Sequence, residues 1–175
     1  MTIEKRASSE VRAEGRKLVG YAATFGHEAR ISDWRESIAP GAFRASLATS
    51  ADILALVDHD PTRVLARTKS GTLRLSEDER GLRFELDVPE TGAGRDVLAL
   101  AARGDLGGMS FGFTVEPGGE HWTGDKRELR SVRLHEVSVI QSFPAYSGTT
   151  VQARSLRPRS SADRRIALLD LEAAR

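Results

Sequence analysis

Hydrophobic positions along this chain fall mostly in short runs of period two, the pattern of strands with one face in a core and the other toward water. The clearest is Leu82-Arg83-Phe84-Glu85-Leu86-Asp87-Val88, where apolar and charged side chains alternate without a break. Leu18 to Phe25, Ile53 to Asp58, Val64 to Thr68 and Thr72 to Ser76 read as further strands, punctuated by Gly26, Asp60-Pro61, Ser70-Gly71 and Arg80-Gly81. Met109 to Glu116, Arg127 to Arg133 and Leu134 to Gln141 complete the set, the first of these leading to the second through Pro117-Gly118-Gly119. One strong helix is predicted where Val97, Leu98, Leu100, Ala101 and Ala102 follow Gly92-Ala93-Gly94 and stop at Gly104. A short helix is predicted at Pro40, whose missing N–H is not needed in a first turn, with Phe43 and Leu47 facing the core. The fold class is therefore mainly β (α+β), and the strand spacing predicts a meander or barrel.

Both ends depart from this pattern. Residues 1–16 carry many charges and almost no large apolar side chains, which predicts a mobile N-terminal arm and a folded domain over 17–153. From Arg154 onward, Arg157, Arg159, Arg164 and Arg165 crowd together, and Ile166, Leu169 and Ala173 then recur at helical spacing. Residues 154–175 thus read as a solvated Arg-rich tail with a short amphipathic helix, or as a docking or processed segment.

The chain has 175 residues, 39% hydrophobic and 29% charged, enough to bury a core without metal or disulfide. It has no cysteine, which excludes a disulfide framework, a thiolate metal site and a cysteine nucleophile. Twenty-six basic against 25 acidic residues leave a formal charge of +1, so no general electrostatic grip on nucleic acid or anionic lipid is expected. Ile53 to Val57 and Val97 to Ala102 are far shorter than the ~20 apolar residues that cross a bilayer, and no membrane partner is expected. Met1 to Arg6 mixes both charge signs without an apolar core, which points to an intracellular site.

Three residues stand out chemically. In Met109-Ser110-Phe111-Gly112-Phe113, the bulky side chains take one face of a strand and leave Ser110 on the other, almost free of bulk. Gly107, Gly108 and Gly112 supply backbone that a substrate could approach closely and N–H groups that could serve an oxyanion. Gly108-Met109-Ser110-Phe111-Gly112 fits G-x-S-x-G literally, but that elbow needs strand, turn, then helix, and the sequel here reads as strand. His59 closes an apolar run between Asp58 and Asp60, at a strand end where an imidazole can reach a neighbour. Glu136 sits inside the apolar stretch Leu134 to Ile140, where a charge costs several kcal/mol unless paired. A histidine N–H or an arginine would serve equally well as its partner. His59, Asp58, His135 and Glu136 also include acceptable metal ligands, but there is no H-E-x-x-H on a helix, and neither metal nor cofactor is assigned.

Ala39-Pro40-Gly41-Ala42-Phe43, Asp58-His59-Asp60, Gly108 to Phe113, and His135-Glu136-Val137-Ser138-Val139 ending in Phe143-Pro144-Ala145 together resemble the tailed-phage prohead protease family, in order and in spacing. The resemblance spans about Lys17 to Gln152. It implies a serine endopeptidase related to the herpesvirus assemblins, with a closed or partly closed antiparallel β-barrel and a few flanking helices. Carried over by position, Ser110 matches the nucleophile, His59 the general base and Glu136 the acid that orients His59. His135 is the alternative third member, because assemblins use a second histidine. Gly107 and Gly108 are the oxyanion candidates.

The resemblance also implies partners and a place of action. These are the major capsid protein with its scaffold segment, a second copy of the chain, and the interior of an immature capsid in the bacterial cytoplasm, with self-cleavage that sheds the tail. The alternative from another class is a catalytically silent β-barrel acting as a capsid-assembly or scaffold-binding module.

Overall fold

A computed structural model describes residues 3–8, 11–49 and 51–141 of the chain. The strands are β1 (Glu4–Ser8), β2 (Val11–Glu14), β3 (Lys17–Thr24), β4 (Ala29–Ile31), β5 (Trp34–Ile38), β6 (Leu54–Val57), β7 (Asp60–Arg67), β8 (Leu73–Glu77), β9 (Gly81–Asp87), β10 (Gly108–Val115), β11 (Glu120–Thr123), β12 (Lys126–Leu129) and β13 (Val132–Ile140). Helix α1 (Arg44–Leu47) precedes β6, and helix α2 (Gly92–Arg103) lies between β9 and β10. The strands pair into three sheets, ordered β1-β10-β13-β6-β7, β2-β3-β9-β8 and β11-β12-β5-β4.

Local signals account for most of these elements. On β9, Leu82, Phe84 and Leu86 are fully buried while Arg83, Glu85 and Asp87 between them stay partly exposed, as strict alternation requires. The Thr91 side chain accepts from the N–H of Gly94 to open α2, and Gly104 at φ +75° closes it in the left-handed conformation that a side chain would resist. Phe43, just before α1, joins an aromatic cluster in the core, edge-on to Phe111 at 5.5 Å, with Phe111 stacked on Phe113 at 5.2 Å. Those two phenylalanines are the bulky face of β10, so the core itself fixes which face of that strand Ser110 occupies. Among the described residues no helix is long and apolar enough to cross a membrane.

Several expectations are corrected. The charged N-terminal segment is no free arm: β1 pairs antiparallel with β10, placing Ala7 opposite Ser110, and β2 pairs with β3. Glu4 and Arg6 on β1 find partners distant in the chain. Arg6 and Arg127 both hydrogen-bond Glu36, and Arg127 also holds Glu4 and Glu120. Burial would raise the Glu4 carboxyl, but the hydrogen bond and charge of Arg127, helped by Arg6, more than offset this and hold it below the usual carboxylate value. That share of stability is present above the ordinary pKa and is lost as pH falls through the lowered one.

The pairing is also mixed rather than antiparallel throughout. β13 runs parallel to β6 and β12 runs parallel to β5, each pair joining strands separated by the long crossover that parallel pairing requires. The strand expected over Arg127 to Arg133 divides into the end of β12 and the start of β13, with Arg130 and Ser131 between them. As a result β10 pairs with β1 and β13, not with β12. The 154–175 tail and its amphipathic helix lie outside the described residues.

The ion network predicts a stability result. Glu36 is 3% exposed and bonded by two arginines that are themselves buried, so Glu36→Ala strands positive charge in a low-dielectric setting. A loss of about 3 kcal/mol is expected, at the lower end for a broken buried pair because Glu4 and Glu120 remain. Thermal unfolding followed by circular dichroism should show the midpoint falling by about 6–12 °C. A shift of a degree or less would mean that the network contributes nothing to the fold.

Candidate active site

The site is built where the β6–β7 hairpin folds over β13. Val57 pairs with Asp60, so Asp58 and His59 alone make the turn, at φ +50° and +61°. Two positive-φ residues in succession give the mirror-image hairpin turn that suits the right-handed twist of strands, but without glycine they cost about 1 kcal/mol or more each. Hydrogen bonds offset the strain. The Asp58 N–H donates to the Val139 carbonyl at 2.9 Å, the Gln141 N–H to Asp58 Oδ1 at 2.9 Å, and the His59 N–H to Ser138 Oγ at 3.2 Å. The turn is thereby fastened to β13, and the imidazole is carried to the Glu136 side chain.

Glu136 Oε1 lies 2.6 Å from His59 Nδ1. An ionised carboxylate can only accept, so the proton on this bond belongs to Nδ1 and leaves Nε2 of a neutral ring with its lone pair free. The second oxygen, Oε2, accepts from Ser138 Oγ at 2.6 Å. The sequence leaves histidine and arginine open as partners of the buried Glu136, and the fold brings histidine. Sequence reasoning misses Ser138. The available signal was a hydroxyl two positions after Glu136, hence on the same strand face, in a stretch otherwise apolar.

Gly112 stands directly opposite Glu136, and a β-carbon on it would sit 2.4 Å from Oε1. The glycine, expected to let a substrate approach, instead leaves room for the carboxylate. Gly112→Ala is therefore expected to push Glu136 off His59. The strongly downfield Nδ1–H resonance in proton NMR should disappear, and stability should fall by about 1–3 kcal/mol. An unchanged resonance would show that the carboxylate has another place to go.

The register shifts after Gly112, and His135 is the extra residue on β13. Its Nε2 lies 3.0 Å from Thr114 Oγ1, so Glu136 and not His135 contacts His59. Burial first, and the nearby positive charge of Arg133 second, hold the His135 imidazole below its ordinary pKa. Asp58 faces Gln141 and Arg63, and among the described residues no three histidine or carboxylate side chains are gathered to hold a metal ion.

Ser110 is 2% exposed and lies opposite Ser138 in the β10–β13 ladder, as Gly112 lies opposite Glu136. It therefore shares a face with the carboxylate, one ladder step away, or about 7 Å along the strand. No hydrogen bond joins Ser110 Oγ to His59 among the described residues. The strand runs unbroken from Gly108 to Val115, so Ser110 is not on a strand-to-helix elbow. Of the two oxyanion candidates, Gly107 already donates its N–H to the Ile140 carbonyl at 2.7 Å and is corrected on that ground. Gly108 begins β10 opposite Ile140 at φ +119°.

The arrangement thus comprises a small-residue strand face bearing a serine, and a tautomer-fixed histidine bonded to a buried acid. A family model described as caudovirus prohead serine protease matches residues 2–162. Comparison with curated proteins and with solved structures finds no match.

Proposed function

We propose, from the premise that the chain belongs to the caudovirus prohead serine protease family, that Ser110 is its nucleophile, His59 its general base and Glu136 the acid that orients the base. Membership makes the protein a serine peptidase of capsid maturation, acting on phage capsid proteins within the procapsid. The substrate under this reading is the scaffold segment of the major capsid protein, with the chain's own tail as a second one and a dimer as the working form.

The single observation that carries the site assignment is the 2.6 Å bond from His59 Nδ1 to Glu136 Oε1, made on the strand face that bears Ser110. His59 Nε2 takes the Ser110 hydroxyl proton as Oγ attacks a peptide carbonyl, and the Glu136 charge stabilises the imidazolium so formed. The C–N bond then breaks, and the same proton passes to the leaving amine. Water, deprotonated by His59 in its turn, releases the acyl group and restores Ser110. The Gly108 N–H is the remaining glycine candidate for the oxyanion.

A closed or partly closed barrel like that of the assemblins is supported by the sheet ends. β1 and β10 lie against β3, and β7 lies against β8 and β9, so the first and second sheets meet along both sides. The silent scaffold-binding module remains as a second reading because Ser110 is almost wholly buried. A fluorophosphonate probe, followed by peptide mapping, separates the two. Labelling at Ser110 together with cutting of a scaffold-bearing capsid protein is the expected result; no label and no cut, under conditions where dimers form, would leave the module.

A further inference from the structure

We infer that Ser138 is a positioning residue that locks His59 and Glu136 into one geometry, a reading that rests on the proposed site. Its hydroxyl has one proton to give and lone pairs to receive, and both capacities are used within the site. The proton goes to Glu136 Oε2 at 2.6 Å, and a lone pair takes the His59 backbone N–H at 3.2 Å. One fully buried oxygen thus touches both the acid and the main chain of the base.

The two partners need such a clamp for different reasons. Glu136 has a long side chain whose other oxygen is bonded to His59 alone among the described residues, and without a bond to Oε2 its terminal torsion is free to swing. His59 sits in a two-residue turn at positive φ, a conformation that its own side chain disfavours. Ser138 is the rigid member of the group, since its backbone is in the middle of a sheet, paired with Ser110 on β10 and with Leu56 on β6. Its register opposite Ser110 ties the base and the acid, the latter one ladder step away, to the rung of the nucleophile, so the bonds it makes set the distance from base to nucleophile. Misplacement of about 1 Å at such a site costs about 10²-fold in rate.

The test compares wild type with Ser138→Ala and Ser138→Thr, using the rate of fluorophosphonate labelling, the His59 Nδ1–H proton resonance and thermal melting. Alanine is expected to slow labelling by about 10- to 100-fold and to broaden or remove the resonance, while the protein still melts cooperatively. Threonine keeps the hydroxyl and suits a strand, so it should restore both signals. Should alanine fail to fold, Ser138→Cys keeps the volume while weakening both bonds, and the same loss is expected of it. Labelling and resonance at wild-type levels in the alanine or cysteine variant would overturn the inference. A wild type that takes no label but loses its resonance on Ser138→Ala would refute the protease reading alone and leave the clamp standing.

Discussion

Ser110→Ala is expected to reduce cleavage of a scaffold-bearing capsid protein by about 10⁴- to 10⁶-fold, the scale on which removal of a serine nucleophile disables such a site. The residue left behind does not disturb the fold. Ser110 lies on the small face of β10, whose register is held by Met109, Phe111 and Phe113 in the core and by ladders to β1 and β13 on either side. Exchange of hydroxyl for hydrogen should therefore leave the melting temperature within a degree or two. Intact-protein mass spectrometry after incubation reads both effects of interest at once, cleavage of the partner and any shortening of the chain itself. Activity within tenfold of wild type would put the nucleophile elsewhere, and Ser138 on the neighbouring strand would then be the next hydroxyl to test.

The second large effect is expected at Glu136. Glu136→Gln keeps the size, and its carbonyl oxygen can still accept from Ser138 Oγ, so the site retains its packing. What is lost is the charge facing His59 Nδ1 across 2.6 Å. A neutral amide does not stabilise the imidazolium, and its N–H₂ favours the wrong tautomer by asking Nδ1 to accept. A fall of about 10³- to 10⁴-fold in kcat is expected, with KM changed little, because in the proposed mechanism the carboxylate acts on the base rather than on the substrate. Steady-state cleavage of a peptide spanning the scaffold junction supplies both constants. Should KM rise while kcat holds, Glu136 would be a substrate contact rather than the support of His59.

Much of the candidate site is legible before the fold. The alternation of bulky and small residues around Ser110 marks a small strand face, which the fold nevertheless buries, and an acid amid Leu134 to Ile140 demands a partner. The order and spacing of the motif blocks supplied the pairing that burial cost could not. Ser138 and the purpose of Gly112 were not legible, because each acts on a residue across a turn or a strand. A glycine two places after Ser110 looks like an opening for substrate until the register sets Glu136 opposite it. In the sequence Glu136 matches the acid and its neighbour His135 stands as the alternative, and a shift of register after Gly112 sends His135 to Thr114.

The same division runs through the architecture. Period-two runs, the capped helix α2 and the apolar strand of Glu136 follow from side-chain chemistry within a few residues of one another, where a linear pattern holds all the information needed. The N-terminal charges show the limit of such patterns. Composition marks residues 1–16 as a mobile arm, yet Arg6 is buried against Glu36 and Phe113, and Arg127 completes the network from more than a hundred residues away. Parallel pairing of β13 with β6 has the same origin, and it is this pairing that carries the Asp58-His59 turn to Glu136 and Ser138. Local interactions choose the elements, whereas countercharges, registers and reactive neighbours are supplied by strands that meet only when the chain closes on itself.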